Sequence, residues 1–276
     1  MNPLRPEPSS PSDAPIRTVD AVRVLRGAAV TAVATREELV VEEPLELRVE
    51  GQAAAVTMRT PGHDLDLAAG FLLTEGVIDG PDDIRALATV GPNTVDVRLA
   101  EGVPAARARS ADRALYATSS CGLCGKASID RLRTRFGPVR GWTPAPEVLA
   151  RLPATLRERQ PAFARTGGLH AAALFDATGR LHEVREDVGR HNAVDKVLGA
   201  RVRADELDFG NLGLLVSSRA GFELVQKALV ARVPLLVALG APSTLAVEAA
   251  ESAGLTLIAW LHPDRWTVYT DGSARP

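Results

Sequence analysis

The chain is 276 residues long and 46% hydrophobic, enough for one large packed domain or two smaller ones. A formal net charge of −2 argues against a dedicated nucleic-acid binder, with room left for a local basic pocket. The start, Met1-Asn-Pro-Leu-Arg-Pro-Glu-Pro8, has no apolar h-region, and no apolar run nears the ~18 residues of a membrane span. We therefore expect a cytoplasmic protein with reduced thiols, bound to neither nucleic acid nor membrane.

Residues 1–16 carry five prolines and several serines and read as a disordered tail. Residues 17–105 read as a small α+β domain, mostly strands from about Val19 to Leu99. Within it, Leu39–Val49 and Ala53–Arg59 form a strand pair about Glu50-Gly51, and His63-Asp64 opens a short helix through Leu73. Thr94–Leu99 alternates like a half-exposed strand. Residues 106–126 lack periodicity and read as a mobile loop, with helices expected at Ala127–Phe136 and Pro146–Arg159.

The remainder, residues 127–276, alternates strand and helix. Ala171–Phe175 and Leu181–Glu186 flank a turn at Asp176-Ala-Thr-Gly179, and Asp187 is placed to N-cap a helix through Leu198. The short apolar runs Leu212–Ser217, Leu235–Leu239 and Leu255–Leu261 are separated by helices at Phe222–Arg232 and Leu245–Ala253. That alternation predicts a largely parallel sheet covered on both faces.

The only two cysteines, Cys121 and Cys124, stand at the end of the loop in Ser119-Ser-Cys-Gly-Leu-Cys-Gly-Lys126. A helix beginning near Lys126, together with its ammonium, favours the thiolate. Four chemistries remain open: structural zinc, a redox pair, inert buried thiols, and carriage of sulfur as a persulfide. Zinc would need two further ligands from His63, His170, His182, His191 and His262, or carboxylates, and these histidines show no finger-like spacing. Only three of the 32 basic residues are lysines, Lys126, Lys196 and Lys227; in a chain that prefers arginine these are either positions that need an ammonium or chance placements.

Other segments offer groups for a ligand. Gly167-Gly168 permits a tight turn before a buried strand that His170 enters. On a helix, Asp187, His191 and Asp195 would share one face, where flanking carboxylates raise an imidazole's pKa; a solvated polar face has the same pattern. Three strand-end turns follow: Ser217-Ser-Arg-Ala-Gly221, Gly240-Ala-Pro-Ser-Thr244 and Trp260-Leu-His-Pro-Asp-Arg265. Helix N-termini at such turns hold phosphates, so Ser218, Arg219, Arg265 and Trp260 suggest a pocket for an anionic ligand with a flat ring.

Together, Cys121-Gly-Leu-Cys-Gly-Lys126, Thr166-Gly-Gly-Leu-His-Ala171, Glu186–Lys196, Ser218–Lys227 and Gly240–Thr244 resemble the formate dehydrogenase accessory sulfurtransferase family (FdhD/NarQ), in order over residues 17–270. The resemblance implies a small α+β domain followed by a cytidine-deaminase-like three-layer α/β/α domain. It also implies a sulfurtransferase passing sulfur from a cysteine desulfurase to the molybdenum cofactor, a bis(molybdopterin guanine dinucleotide), of formate dehydrogenase. Cys121 would carry the persulfide and Cys124 assist or receive it. The cofactor-binding stretch would fall on Trp260, Leu261, His262, Pro263, Asp264 and Arg265. Arg265 matches the family's pattern, whereas His262 stands where an arginine is more usual. No metal bound directly by the protein is implied, and a homodimer is. Two other readings are a non-catalytic chaperone that holds the cofactor and a zinc deaminase-like enzyme. The latter needs H-x-E and P-C-x-x-C, whereas Ala171-Ala172 follow His170 and Ser120 precedes Cys121.

Overall fold

The computed structural model describes residues 14–26, 30–104 and 138–274. Most of the proline-rich tail, the two cysteines, Lys126 and the helix expected at Ala127–Phe136 lie outside the described residues.

The chain opens with an antiparallel ribbon of β1 (Ile16–Arg26) and β2 (Val30–Val40), a two-stranded sheet of its own. Leu39–Val49 is not the single strand expected. The N–H of Val41 donates to the carbonyl of Pro15 and closes the ribbon's base, and a new strand, β3 (Glu43–Val49), starts beyond it. β3 pairs with β4 (Gln52–Arg59) about Glu50-Gly51, whose φ values of 53° and 76° suit a tight primed turn. With β5 (Ile84–Gly91) and β6 (Thr94–Leu99) they make a four-stranded sheet of order β4-β3-β6-β5. Leu45, Leu47, Val49, Val95 and Val97 are buried in one core with the apolar residues of α1 (Asp64–Thr74).

The larger unit has α2 (Pro146–Glu158), α3 (Pro161–Thr166), β7 (His170–Phe175), β8 (Leu181–Asp187), α4 (Arg190–Arg203), β9 (Gly213–Val216), α5 (Phe222–Val230), β10 (Leu235–Ala238), α6 (Thr244–Ala253), β11 (Thr256–His262) and β12 (Arg265–Thr270). Its six strands run β12-β11-β10-β9-β7-β8. The expectation of a largely parallel sheet holds only for β9, β10 and β11. β7–β8 and β11–β12 are joined by tight turns, which permit only antiparallel pairing.

Alternation along β7 builds the layers. Ala171, Ala173 and Phe175 join Leu149, Leu152 and Leu156 of α2 on one face. Ala172 and Leu174 join Val216, Leu236, Ala238 and residues of α4, α5 and α6 on the other. The result is the expected three-layer α/β/α arrangement.

The two units share one core because α1 and α4 cross at glycines. A Cβ on Gly70 would fall 1.8 Å from the Asp195 carbonyl oxygen, and one on Gly199 would fall 1.8 Å from that of Asp66. Only hydrogen fits at either position. Among the described residues, no helix is long and apolar enough to cross a membrane.

Candidate functional site

The parallel strands β9, β10 and β11 place three carboxyl ends on one edge of the sheet, and hydrogen bonds join the turns beyond them. Gly240 N–H donates to the Ser218 carbonyl (3.1 Å), Ala220 N–H to that of Ala241 (3.0 Å), and Ser243 N–H to that of Ala220 (3.0 Å). Trp260 N–H reaches the Gly240 carbonyl at 3.2 Å. β7 runs antiparallel to β9, so its first residue, His170, arrives at the same edge. There the Ser217 hydroxyl oxygen accepts the Ala171 N–H at 2.8 Å. His170 pairs with Asp187 at the end of β8, which brings in the start of α4.

Three helices of nine or more residues, α4, α5 and α6, thus begin at this edge. Their unpaired N–H groups and partial positive charge make it a place for anions. Ser243 caps α6, its hydroxyl accepting the Ala246 N–H, whereas Gly221 and Gly189 cap α5 and α4 without a side chain. Arg219 is exposed between the turns; Ser218 is buried, its hydroxyl donating to the Arg219 carbonyl.

The Trp260–Arg265 stretch, expected as a turn after the last apolar strand, is part strand and part hairpin turn. Trp260, Leu261 and His262 complete β11, Pro263 and Asp264 form a hairpin turn, and Arg265 opens β12. A bulge turns Trp260 outward at φ 53°, leaving it 49% exposed as a flat apolar face beside Gly240. Leu261 is buried on the α2 side, so its side chain faces away from the edge. His262 is half-buried, and Pro263, Asp264 and Arg265 are exposed, with 3.6 Å between the Arg265 guanidinium and the Asp264 carboxylate.

The Asp187–His191–Asp195 face also departs from expectation. Asp187 ends β8 instead of capping α4, a position held by Gly189. Its Oδ1 accepts from Gly189 N–H (2.8 Å) and the Asn192 amide (3.2 Å). Its Oδ2 accepts from Thr60 N–H (3.1 Å) and pairs with Lys196 Nζ (2.7 Å). Asp195 lies buried in the domain interface, bonded to Lys227 Nζ (2.9 Å) and the Thr74 hydroxyl (2.8 Å). The carboxylates therefore hold the two units together instead of raising the His191 pKa. Burial, then the charges of Arg190 and Lys227, push the His191 imidazole down to about 4, and its buried Nε2 has no hydrogen-bond partner among the described residues.

That depression has a measurable sign. Unfolded histidine titrates near ~6.5, so between there and 4 the unfolded chain binds the extra proton, and stability falls as the pH falls. Urea unfolding should show a loss of about 2 kcal/mol from this residue between about pH 7.5 and pH 5. His191→Gln should remove that share of the slope. An unchanged slope would place the imidazole in solvent.

Among the described residues, no three His, Cys, Asp or Glu side chains are grouped to hold a metal. His170 opens β7 and is followed by Ala171-Ala172, so the H-x-E of a zinc deaminase is missing there. A hollow of about 260 Å³ lined by Val139, Arg140, Phe209 and Arg232 lies at the opposite edge, where none of the expected site residues line it.

The sequence profile of the FdhD/NarQ family matches residues 40–275. The chain belongs to the FdhD/NarQ family. It is 51% identical over 252 residues to a protein of Streptomyces avermitilis named sulfur carrier protein FdhD, covering 86% of this chain and 89% of that one. A protein of the same name from Mycolicibacterium paratuberculosis is 49% identical over 260 residues, covering 90% and 95%. In fold, a formate dehydrogenase accessory protein from Desulfotalea psychrophila aligns with a TM-score of 0.73 at 21% identity, over 93% of this chain and 97% of that one. In this FdhD/NarQ chain, the layer of buried ion pairs between the units escaped the sequence reading. Its one signal was the scarcity of lysine: Lys196 and Lys227 are both buried and paired with aspartates.

Proposed function

We propose that this chain is a sulfur carrier with sulfurtransferase activity serving formate dehydrogenase. The Cys121 thiolate attacks the outer sulfur of a persulfide on a cysteine desulfurase, and the desulfurase thiolate leaves. Sulfane sulfur then rests on Cys121 with no net oxidation. Cys124 assists its onward passage to the molybdenum cofactor, a bis(molybdopterin guanine dinucleotide) bound as substrate. The observation that carries this reading is that the chain's only two thiols stand as a C-x-x-C in a protein about half identical to named sulfur carriers.

The strand-end edge supports an anionic, ring-bearing acceptor. Helix N-termini and Arg219 suit its phosphates, and the exposed Trp260 offers a stacking face for a base. Arg265 and His262 extend the same edge. A reducing cytoplasm fits a carrier whose thiols must stay free.

Intact-mass spectrometry after incubation with desulfurase and cysteine tests the proposal. We expect an adduct of about 32 Da per sulfur on the wild type and none on Cys121→Ala. Cells carrying Cys121→Ala should hold folded but inactive formate dehydrogenase. If protein lacking both cysteines restores activity, the chain is a chaperone for the cofactor and not a carrier.

A further inference from the structure

Glu223 stands exposed in the first turn of α5, and its carboxylate makes no hydrogen bond or ion pair among the described residues. The other acids at the strand-end edge are engaged. Asp187 holds Lys196, Thr60, Gly189 and Asn192, and Glu186 accepts the N–H groups of Ala162 and Phe163. Asp264 lies 3.6 Å from Arg265. The Glu223 carboxylate folds back over its own helix start, where a Cβ on Gly221 would fall 3.0 Å from its Oε2. The helix dipole favours an acid in this turn, which explains why the charge is tolerated. The same charge opposes a phosphate at α5 and leaves phosphates to Arg219 and Arg265. An edge built for anions alone would be better served by a neutral residue here.

The surroundings of Glu223 suit a neutral polar group. Its charge and that of Arg190 both act on the His191 imidazole, so the two stand about one side chain. Burial holds the His191 and His170 imidazoles below their usual pKa, so both are uncharged at neutral pH. This half of the edge therefore presents a carboxylate and a guanidinium, whereas the β11 side presents Arg219, Arg265 and the flat face of Trp260. A carboxylate accepts two hydrogen bonds at once, and a guanidinium donates. The ring edge that matches is an oxo group followed by two N–H donors, found on guanine and on a pterin alike. Adenine instead turns a bare ring nitrogen toward the acid, lone pair against lone pair.

On the sulfur-carrier reading, which supplies the ring-bearing acceptor, we propose that Glu223 selects the ring. Its carboxylate accepts the ring N–H and the amino group of a 2-amino-oxo-pyrimidine edge, and Arg190 donates to the oxo oxygen. The choice is made by the N–H donors of the ring, independently of the phosphates and of stacking on Trp260.

Calorimetric titration of the full chain with GDP, IDP and ADP tests this. IDP lacks only the amino group of GDP. The wild type should bind GDP about tenfold more tightly than IDP and about a hundredfold more tightly than ADP, as loss of one and then two charge-assisted hydrogen bonds requires. Glu223→Gln should bring the GDP-to-IDP ratio to about one, whereas a general effect of charge would move both affinities together and leave the ratio intact. A wild type that binds GDP and IDP alike, or a variant that keeps the ratio, overturns the proposal. So does a variant that loses only a preference for GDP over 2′-deoxy-GDP, since the acid would then be reading the ribose. Pterin-6-carboxylate separates the two sources of the ring edge: displacement of GDP from the wild type extends the selection to pterin, and no displacement confines it to guanine. Glu223 is exposed, so the variant should keep its far-UV circular dichroism, and the wild-type comparison stands without it. Sulfur loading of wild-type Cys121 is read separately by intact mass. A chain that loads sulfur without ring selectivity sinks this inference alone, and a selective chain that takes no sulfur sinks the carrier reading alone.

Discussion

Lys227→Met should lower the stability of this protein by about 3–5 kcal/mol, the cost of leaving one member of a buried ion pair without the other. Lys227 Nζ sits 2.9 Å from both Asp195 oxygens, 2.9 Å from the Thr74 hydroxyl and 3.7 Å from Glu75. Burial pushes the Asp195 carboxyl up, and the Lys227 charge and its hydrogen bonds pull against that shift. Without the ammonium, Asp195 and Glu75 confront each other across α1 and α4, and Asp195 must take a proton or stay charged in the core. Thermal melts should show a fall of about 10 °C at neutral pH. Asp195→Leu in the same chain should recover much of the loss, because an apolar pair replaces a buried charge without stranding one. A fall of under about 1 kcal/mol in the single variant would mean that the interface is hydrated.

Gly70→Ala gives the second large effect, with a sign that separates two accounts. Alanine in a helix interior is favoured over glycine by about 1 kcal/mol, so local propensity predicts a gain. The crossing predicts the reverse. The new Cβ would meet the Asp195 carbonyl oxygen at 1.8 Å and its carbon at 2.6 Å, and backbone cannot rotate away as a side-chain tip can. α1 and α4 must part, loosening bonds that span the crossing, among them Arg203 to Asp66 and Thr74 to Asp195. We expect a loss of about 3 kcal/mol by urea unfolding, at the upper end for overpacking. Gly199→Ala, whose Cβ would lie 1.8 Å from the Asp66 carbonyl oxygen, should behave alike. A gain in stability from either would show that the helices do not touch.

Elements that depend on neighbours in the chain were legible. Glu50-Gly51 marked a hairpin, Asp176–Gly179 marked the β7–β8 turn, and short apolar runs marked β9, β10 and β11. Misreadings came where a distant partner decides. Asp187 has the side chain of a cap, but Thr60 and Lys196 claim its carboxylate from elsewhere in the fold. Helical spacing put His191 and Asp195 on one face. It could not show that Lys227 would sit beside the acid or that the imidazole would be buried. Trp260–Arg265 resembled the turns before it because all three follow an apolar strand. The antiparallel pairing of β12 back along β11, as far as Thr270 against Leu257, makes it a hairpin.

By itself the sequence determined the alternation of strands and helices from β7 to β11, the pair of thiols and their spacing, and the motifs that mark the family. Each is set by residues a few positions apart, through backbone preference, periodicity or covalent spacing. Tertiary structure alone decided that three strand-end loops and the start of α4 meet at one edge, that two scarce lysines neutralise buried aspartates, and that Gly70 and Gly199 admit no side chain. Those facts depend on which segments pack together, because desolvation and close contact act between atoms near in space, however far apart they lie along the chain.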